Sequence, residues 1–388
     1  MYDILTLNAI SDKINTVFAD TYTVGSDVEA PSAILVRSAN MHDYEIPEQL
    51  LAVARAGAGV NNIPIKEMSD MGICVFNTPG ANANAVKELV LCAMLLASRG
   101  IIDGVNWAST LSAEQDVPKT VEKGKKAFGG FEIIGKTMGV VGLGAIGVKV
   151  ALDCKALGMN VIGYDPYLSS FAKDTLAKAD IAVVSLEEIY KNSAFITLHV
   201  PLLDSTRAMI NADALAMAQD GLTVLNFSRA ELVDVNAIKS GIASGKINKY
   251  IVDFPTAEVI GVNGIIAIPH LGASTEEAEE NCAIMASEQL VDFLENGNVK
   301  NSVNFPAISV PRTKKYRMTA IYDVSETAGN AIKKAADTLG IDVTIAERAE
   351  IGYAIFDTDE ATIMSLENED TLWDALDEID EVNTLRII

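Results

Sequence analysis

Three side chains of complementary chemistry follow apolar runs in the second half of the chain. Arg229 lies in NFSRAELVD, Glu258 in DFPTAE and His270 in IPHLGAST. A guanidinium can bind a carboxylate through two hydrogen bonds, and an imidazole can give or take a hydroxyl proton near neutral pH. A carboxylate beside the imidazole would stabilise its cation and raise its pKa. The set suits proton transfer on a small hydroxy or keto acid.

Each residue also has a structural explanation when it is taken alone. Arg229 could form a surface ion pair, His270 could be a turn residue, and Glu258 could simply be exposed. The residues follow predicted buried strands at Thr223–Phe227, Tyr250–Phe254 and Ile265–Ile268. Because carboxyl ends of parallel strands border the ligand crevice of open α/β sheets, their joint placement favours an active site.

A glycine-rich turn in the middle of the chain predicts a dinucleotide site. An apolar run, Met138–Val141, leads into G-x-G-x-x-G, and a helical pattern then continues to Leu157. Such glycines permit a tight turn, close approach of a diphosphate to the backbone, and packing of helix on strand. The residues predicted to face the diphosphate are Gly142, Gly144, Ala145, Ile146 and Gly147.

An acidic residue after the next strand predicts the cofactor type. Asp165 ends the run Val161–Tyr164, at the usual distance of about 20 residues for a carboxylate that binds the adenosine ribose. A carboxylate there repels a 2′-phosphate, so NAD is expected rather than NADP. His199, in LHVP, is expected to line the adenine end of the same site.

Composition limits the class of protein. The 388 residues are 49% hydrophobic and 21% charged, as in an ordered soluble protein of two or three domains. The net charge of −23 argues against nucleic-acid and anionic-membrane partners, and an anionic substrate would need a locally basic pocket. The four cysteines lack metal-ligand spacing, so we expect no metal. With no leader or membrane-length apolar run, we expect a cytoplasmic protein.

Strand and helix patterns alternate along most of the chain. The remaining predicted strands are Asp3–Leu7, Ala33–Arg37, Leu50–Arg55, Gly72–Val75, Ile181–Val184 and Phe195–His199, and the long predicted helices are Ala85–Ser98 and Thr275–Glu295. Residues 101–135 show no clean period. The pattern predicts an α/β fold with two doubly wound parallel-sheet, Rossmann-like domains.

The last 70 or so residues predict a smaller module. Its strands are Tyr316–Val324, Thr344–Asp357 split near Glu350, and the terminal TLRII, and its helices are Thr327–Leu339 and Glu360–Glu378. This order predicts a ferredoxin-like βαββαβ domain.

Several segments together resemble one enzyme family. They include ARAGAGVNNI, VFNTPGANANAVKEL, GVVGLGAIG, LHVPLLDSTRAMI, NFSRAELVD and IPHLGASTEEAEENCA, and they lie within residues 33–305. The chain resembles the D-2-hydroxyacid dehydrogenases, and within them the phosphoglycerate dehydrogenases of serine biosynthesis. The resemblance implies NAD-dependent oxidation of 3-phospho-D-glycerate to 3-phosphohydroxypyruvate, or the reverse. A hydroxypyruvate or glyoxylate reductase is the nearest alternative, and a non-catalytic NAD(H) sensor is the alternative from another class.

The resemblance also assigns residues to the site. It implies catalysis by Arg229, Glu258 and His270. Further cofactor contacts are implied for Pro201, Thr206, Phe227, Asp253, Gly272 and Ala273. Substrate contacts are implied for Ala58, Gly59, Val60, Asn61 and Asn77, with phosphate-binding cations from Arg37, Arg55, Lys125 and Lys126. The lysines could equally be a solvated surface stretch.

Domain organisation follows from the same resemblance. Residues 1–97 and 283–305 would form a discontinuous substrate domain, 98–282 the NAD domain, 306–315 a linker, and 316–388 an ACT-like domain in a homodimer or homotetramer. Serine-binding versions of that domain carry His and Asn where this chain has Tyr322 and Val324, and a later Asn where it has Asp342. Since Val offers no amide, we expect serine control to be weak or absent.

Overall fold

The computed structural model describes residues 2–113, 116–359 and 371–388. The chain divides into two units, Met1–Asn82 with Glu276–Ile388, and Ala83–Thr275. Each unit contains a parallel sheet, which confirms the predicted α/β class. The division into three domains stays a prediction. No helix in the described residues is long and apolar enough to cross a membrane.

The first unit begins with a five-stranded parallel sheet of order β2-β1-β3-β4-β5. Ala33–Val36 is buried along its whole length, as expected for a parallel strand covered on both faces. Strand β2 was not predicted, because it is a short, partly exposed edge strand that ends in glycine. The elements are β1 (Tyr2–Leu7), β2 (Tyr22–Gly25), β3 (Ala33–Val36), β4 (Ala52–Arg55), α1 (Ile65–Asp70) and β5 (Cys74–Phe76).

The second unit contains a seven-stranded parallel sheet of order β12-β11-β10-β9-β6-β7-β8. Chain order reverses direction between β6 and β9, which is the switch point of a doubly wound sheet. The strands are β6 (Thr137–Val141), β7 (Asn160–Tyr164), β8 (Ala182–Val183), β9 (Phe195–Leu198), β10 (Leu222–Asn226), β11 (Ile247–Val252) and β12 (Ile265–Ala267). The helices are α2 (Ala83–Ser98), α3 (Ile101–Ala108), α4 (Val117–Gly124), α5 (Ala145–Ala156), α6 (Ser170–Lys178), α7 (Leu186–Asn192), α8 (Ala212–Met217) and α9 (Val235–Ser244).

Two parts of this unit differ from expectation. The prediction of a buried strand at Ile181–Val184 was wrong in its burial, because β8 is the edge strand and both of its residues are exposed. The region without a clean period holds α3 and α4, neither of which buries a residue. A weak core contact explains why the apolar period was hard to recognise.

The first unit resumes with α10 (Glu276–Asn296) and a four-stranded antiparallel sheet of order β14-β15-β13-β16. The elements are β13 (Tyr316–Asp323), α11 (Ala328–Thr338), β14 (Asp342–Arg348), β15 (Ile351–Thr358), α12 (Leu372–Asp377) and β16 (Val382–Ile387). The βαββαβ order is confirmed. The predicted helix Glu360–Glu378 contains α12, while residues 360–370 lie outside the described ones.

A buried arginine joins this sheet to α10. The side chain of Arg317 is fully buried and forms two hydrogen bonds with the Asp357 carboxylate, at 2.7 and 2.6 Å. Its guanidinium also donates to the carbonyls of Asn296, Val310 and Pro311. The charge is therefore compensated, and the donors are used to hold the C-terminal sheet against the end of α10.

We expect Arg317→Met to lower the free energy of unfolding by about 3–5 kcal/mol, because it leaves the Asp357 carboxylate buried without its cation. Urea unfolding followed by circular dichroism measures the change. Asp70→Asn is the matched control, since the Lys66–Asp70 pair is exposed and its loss should cost at most about 0.5 kcal/mol. Equal losses of unfolding free energy in the two variants would contradict the view that Arg317 compensates a buried Asp357 carboxylate.

Candidate active site

One row of residues ends five neighbouring strands of the second unit. Val141, Leu198, Asn226, Val252 and Ala267 are register partners from β6 to β12. The residues that follow them therefore lie at one edge of the sheet, where parallel α/β sheets bind ligands. This edge carries the glycine turn and the loops of His199, Phe227, Asp253 and His270.

An aromatic ring brings two of the predicted catalytic residues together. Phe254 follows β11, and its ring centroid lies 4.6 Å from that of His270 and 5.6 Å from Arg229 Cζ. Arg229 is half-buried and also donates to the Ser228 carbonyl at 2.7 Å. The ring thus supports an imidazole and a guanidinium at once, through a tilted ring–ring contact and a cation–π contact.

A buried carboxylate fixes the turn that carries His270. Asp253 accepts hydrogen bonds from the N–H groups of Leu271 at 2.7 Å and Gly272 at 2.8 Å. His270 has a left-handed φ of 53°, so this turn needs such support. Burial raises the pKa of Asp253, and the two backbone hydrogen bonds oppose that rise. The predicted nicotinamide contacts of Asp253, Gly272 and Ala273 all belong to this turn.

Glu258 stands apart from the other two. Its side chain is exposed in the turn that follows Phe254. Within residues 2–113, 116–359 and 371–388, no hydrogen bond or ion pair joins it to His270. Catalytic hydrogen bonds often form only around bound substrate, so the role of Glu258 stays a prediction.

The glycine turn has the geometry that a dinucleotide needs. A Cβ on Gly142, whose φ is 90°, would lie 2.5 Å from the His199 carbonyl oxygen. A Cβ on Gly147 would lie 1.9 Å from the Gly142 oxygen, so helix and strand could not pack as they do. A Cβ on Gly144 would meet no heavy atom within 4 Å apart from its own local backbone. That open space precedes Ala145 and Ile146, whose N–H groups begin α5 with no side-chain cap.

The acid after β7 supports this turn directly. Asp165 accepts hydrogen bonds from the N–H groups of Leu143 and Tyr167, each at 2.8 Å. It is thereby held beside the glycine turn, where a ribose carboxylate would be needed. Thr206 closes the neighbouring loop, since its hydroxyl donates to the Pro201 carbonyl at 2.7 Å. Phe227 is buried.

His199 contributes a neutral imidazole to the same edge. Its Nε2 lies 2.9 Å from Thr197 Oγ1, while its Nδ1 is buried with no hydrogen-bond partner among the described residues. Burial lowers the pKa of His199 to about 3, so the ring is uncharged at neutral pH. A buried orphan nitrogen beside an open glycine turn fits a bound dinucleotide.

The first unit gathers most of the predicted substrate residues. Arg55 ends β4, and its Nη1 lies 2.3 Å from where a Cβ of Gly57 would be, so the guanidinium covers the start of the loop. Asn77 Nδ2 donates to the Ala58 carbonyl at 2.7 Å. The N–H of Thr78 donates to the Gly57 carbonyl at 3.1 Å. The loop from Ala58 through Gly59 and Val60 to Asn61 is thus held by the strands on both sides.

The predicted phosphate cations divide into two groups. Arg37 follows β3 in the first unit and forms an ion pair with Glu279 at 2.5 Å. Lys125 and Lys126 are exposed in a 3₁₀ turn of the second unit, and Lys125 pairs with Glu122 at 2.6 Å. Phosphate binding by these lysines stays a prediction.

Two residues that support the side chains of the site, Phe254 and Asn62, were not predicted from the sequence. The apolar pattern predicts Phe254 only as the end of a strand, although an aromatic residue at that position is a visible signal. Asn62 accepts from Arg55 Nε at 3.1 Å and donates to the Ala39 carbonyl at 2.7 Å. It joins the Arg55 side chain to the loop that follows Arg37, a tertiary link with no local pattern.

Comparison with known proteins decides the family. A model described as D-isomer specific 2-hydroxyacid dehydrogenase, NAD binding domain, matches residues 91–272. The hydroxypyruvate reductase of Thermotoga maritima is 36% identical over 271 residues, which cover 66% of this chain and 83% of that protein. The chain belongs to the D-isomer specific 2-hydroxyacid dehydrogenase family. The predicted family and cofactor, NAD, are confirmed.

Other members of this family match a larger fraction of this chain. The D-3-phosphoglycerate dehydrogenase of Methanocaldococcus jannaschii is 34% identical over 299 residues, 76% of this chain and 54% of that protein. The solved NAD⁺-bound 3-phosphoglycerate dehydrogenase of Entamoeba histolytica matches with a TM-score of 0.60 at 25% identity, over 78% of this chain and 98% of that one. The chain spans about half the length of the curated phosphoglycerate dehydrogenases it matches.

We expect Gly144→Ala to weaken NADH binding by at least about tenfold, because a methyl group would fill the space that a diphosphate needs. The free energy of unfolding should change by no more than about 0.5 kcal/mol, since nothing lies near the new methyl. Fluorescence titration with NADH measures the affinity. Gly129→Ala is the control, at a site with ordinary contact distances of 3.6 Å. Unchanged NADH affinity in Gly144→Ala would refute the placement of the dinucleotide diphosphate at Gly144.

Proposed function

We propose that the chain is an NAD-dependent dehydrogenase that interconverts 3-phospho-D-glycerate and 3-phosphohydroxypyruvate, a step of serine biosynthesis. The observation that supports it most is the pair formed by Arg229 and His270 around Phe254, at the sheet edge that carries the glycine turn. The names of several relatives agree with this substrate.

Each residue of the pair has one task. The Arg229 guanidinium binds the substrate carboxylate through two N–H groups and orients C2. The His270 imidazole takes the hydroxyl proton on oxidation and returns it on reduction. Glu258 stabilises the imidazolium in the substrate complex. When bound in this fold, NAD supplies the acceptor for the hydride of C2.

Positive charge in the first unit supports an anionic substrate. The chain carries a net charge of −23, so a dianion is repelled unless the site is locally basic. Arg37 follows β3, Arg55 ends the neighbouring strand β4, and Asn62 links the Arg37 carbonyl to the Arg55 side chain. The substrate is therefore a small acid, and neither nucleic acid nor membrane is a partner.

A second function has its own support. Glu279 compensates the charge of Arg37, and a relative that covers 66% of this chain is named hydroxypyruvate reductase. These observations favour an unphosphorylated substrate such as hydroxypyruvate or glyoxylate. A non-catalytic NAD(H) sensor is the remaining alternative.

A spectrophotometric assay of NADH consumption tests these functions. The keto acids are 3-phosphohydroxypyruvate, hydroxypyruvate, glyoxylate, pyruvate and 2-oxoglutarate. We expect the highest kcat/KM with 3-phosphohydroxypyruvate. Higher kcat/KM with hydroxypyruvate or glyoxylate would replace the proposed substrate, and no turnover with any keto acid would favour the sensor.

We expect His270→Asn to lower kcat at least about 100-fold, because the hydroxyl proton loses its carrier. NADH affinity, measured by fluorescence titration, should stay unchanged and serves as the control for folding. An unchanged kcat would remove His270 from the mechanism.

We further propose that the C-terminal module is an ACT-like domain that pairs subunits in a homodimer or homotetramer but does not bind serine. Tyr322 is fully buried in β13, and its hydroxyl donates to Glu347 at 2.8 Å. Its ring fills the space over Gly352, where a Cβ would lie 2.1 Å from the ring. Asp342 is exposed at the start of β14. The Tyr322 side chain is therefore packed in the module's core and already hydrogen-bonded to Glu347.

Serine titration should leave the rate of NADH consumption unchanged up to millimolar concentration, because Tyr322 and Val324 offer no amide to an amino acid. Isothermal titration calorimetry with serine is the independent measurement. Inhibition at micromolar serine would contradict this proposal.

A further inference from the structure

Arg37 meets a carboxylate from a distant part of the sequence. It follows β3, and its Nη2 lies 2.5 Å from Oε1 of Glu279 on α10. The side chains are 36% and 40% exposed, so an incoming solute can reach both. Exposed ion pairs contribute little to folding stability, so stability alone gives no reason for this one.

Arg55 and Glu279 belong to one cluster of charges. Arg55 ends β4, and Val36 and Arg55 are register partners in the sheet. The thiol of Cys282, close to Glu279 on α10, is subject to the charges of Arg55, Arg37 and Glu279, although burial is what mainly raises its pKa. Two guanidinium groups and one carboxylate therefore lie near one thiol, at the ends of β3 and β4.

The carboxylate affects two kinds of substrate differently. A phosphate dianion that binds Arg37 must share the guanidinium with the Glu279 carboxylate and is repelled by its charge. A neutral hydroxymethyl group in the same place makes no such demand. The negative charge of Glu279 therefore acts against the phosphate and has little effect on an uncharged tail.

We propose that Glu279 is a positioning residue that sets the preference between phosphorylated and unphosphorylated 2-keto acids by holding Arg37 in an ion pair. This inference rests on the proposed function, because it concerns the same substrate site. Glu279 does not touch the reacting atoms, and its effect reaches the substrate through Arg37.

Glu279→Gln tests the role, since an amide keeps an oxygen that can accept from Arg37 and removes the charge. We expect kcat/KM for 3-phosphohydroxypyruvate to rise about fivefold through a lower KM. For hydroxypyruvate it should change by less than about twofold. The difference should shrink in 1 M salt, where the screening length is about 3 Å. Glu277→Gln is the matched control, with the same charge change at an exposed site of the same helix.

The outcomes separate this inference from the proposed function. Equal changes for both substrates, or no change in Glu279→Gln, would overturn the inference while the enzyme remains a dehydrogenase. If the unaltered chain turns over neither substrate, the proposed function fails, and calorimetric binding of 3-phosphoglycerate then decides the inference. Tighter binding to Glu279→Gln than to the unaltered chain supports it, and equal binding overturns it.

Discussion

The parallel register of five strands is the constraint on which the second unit depends. Backbone hydrogen bonds from β6 to β12 place Val141 and Ala267 in the same row, although most of that unit's sequence separates them. Since every strand runs in the same direction, each following loop must leave at the same edge. A nucleotide turn and an Arg–His pair thus become neighbours without any local sequence relation.

Features with a local pattern could be predicted from the sequence. The glycine turn has a fixed spacing, and the strand ends follow apolar runs, so the sequence alone predicts the positions of Gly142 and His270 in the site. Contacts between residues far apart in the sequence could not be predicted in this way. The ion pair of Arg37 with Glu279 joins residues 242 positions apart, and the ring that supports Arg229 and His270 depends on β10, β11 and β12 being adjacent. No sequence period encodes such contacts.

Four carboxylates of the structure have different kinds of partner. Asp253 and Asp165 accept hydrogen bonds from backbone N–H groups and fix loops. Asp357 is buried against the guanidinium of Arg317, where loss of either partner leaves an uncompensated charge. Glu279 is half-exposed against Arg37, where the partner can be exchanged. The same chemical pair is thus a fixed anchor in one place and a replaceable contact in the other.

Helix α10 contacts both ion pairs, Arg37–Glu279 and Arg317–Asp357. Its 21 residues span about 30 Å. Near its start Glu279 holds Arg37, and in its second half Gln289 Nε2 donates to the Asn77 carbonyl at 3.0 Å. Its last turn gives the Phe293 and Asn296 carbonyls to arginines of the C-terminal sheet. One continuous helix therefore contacts both the backbone of Asn77, which holds the substrate loop, and the C-terminal sheet.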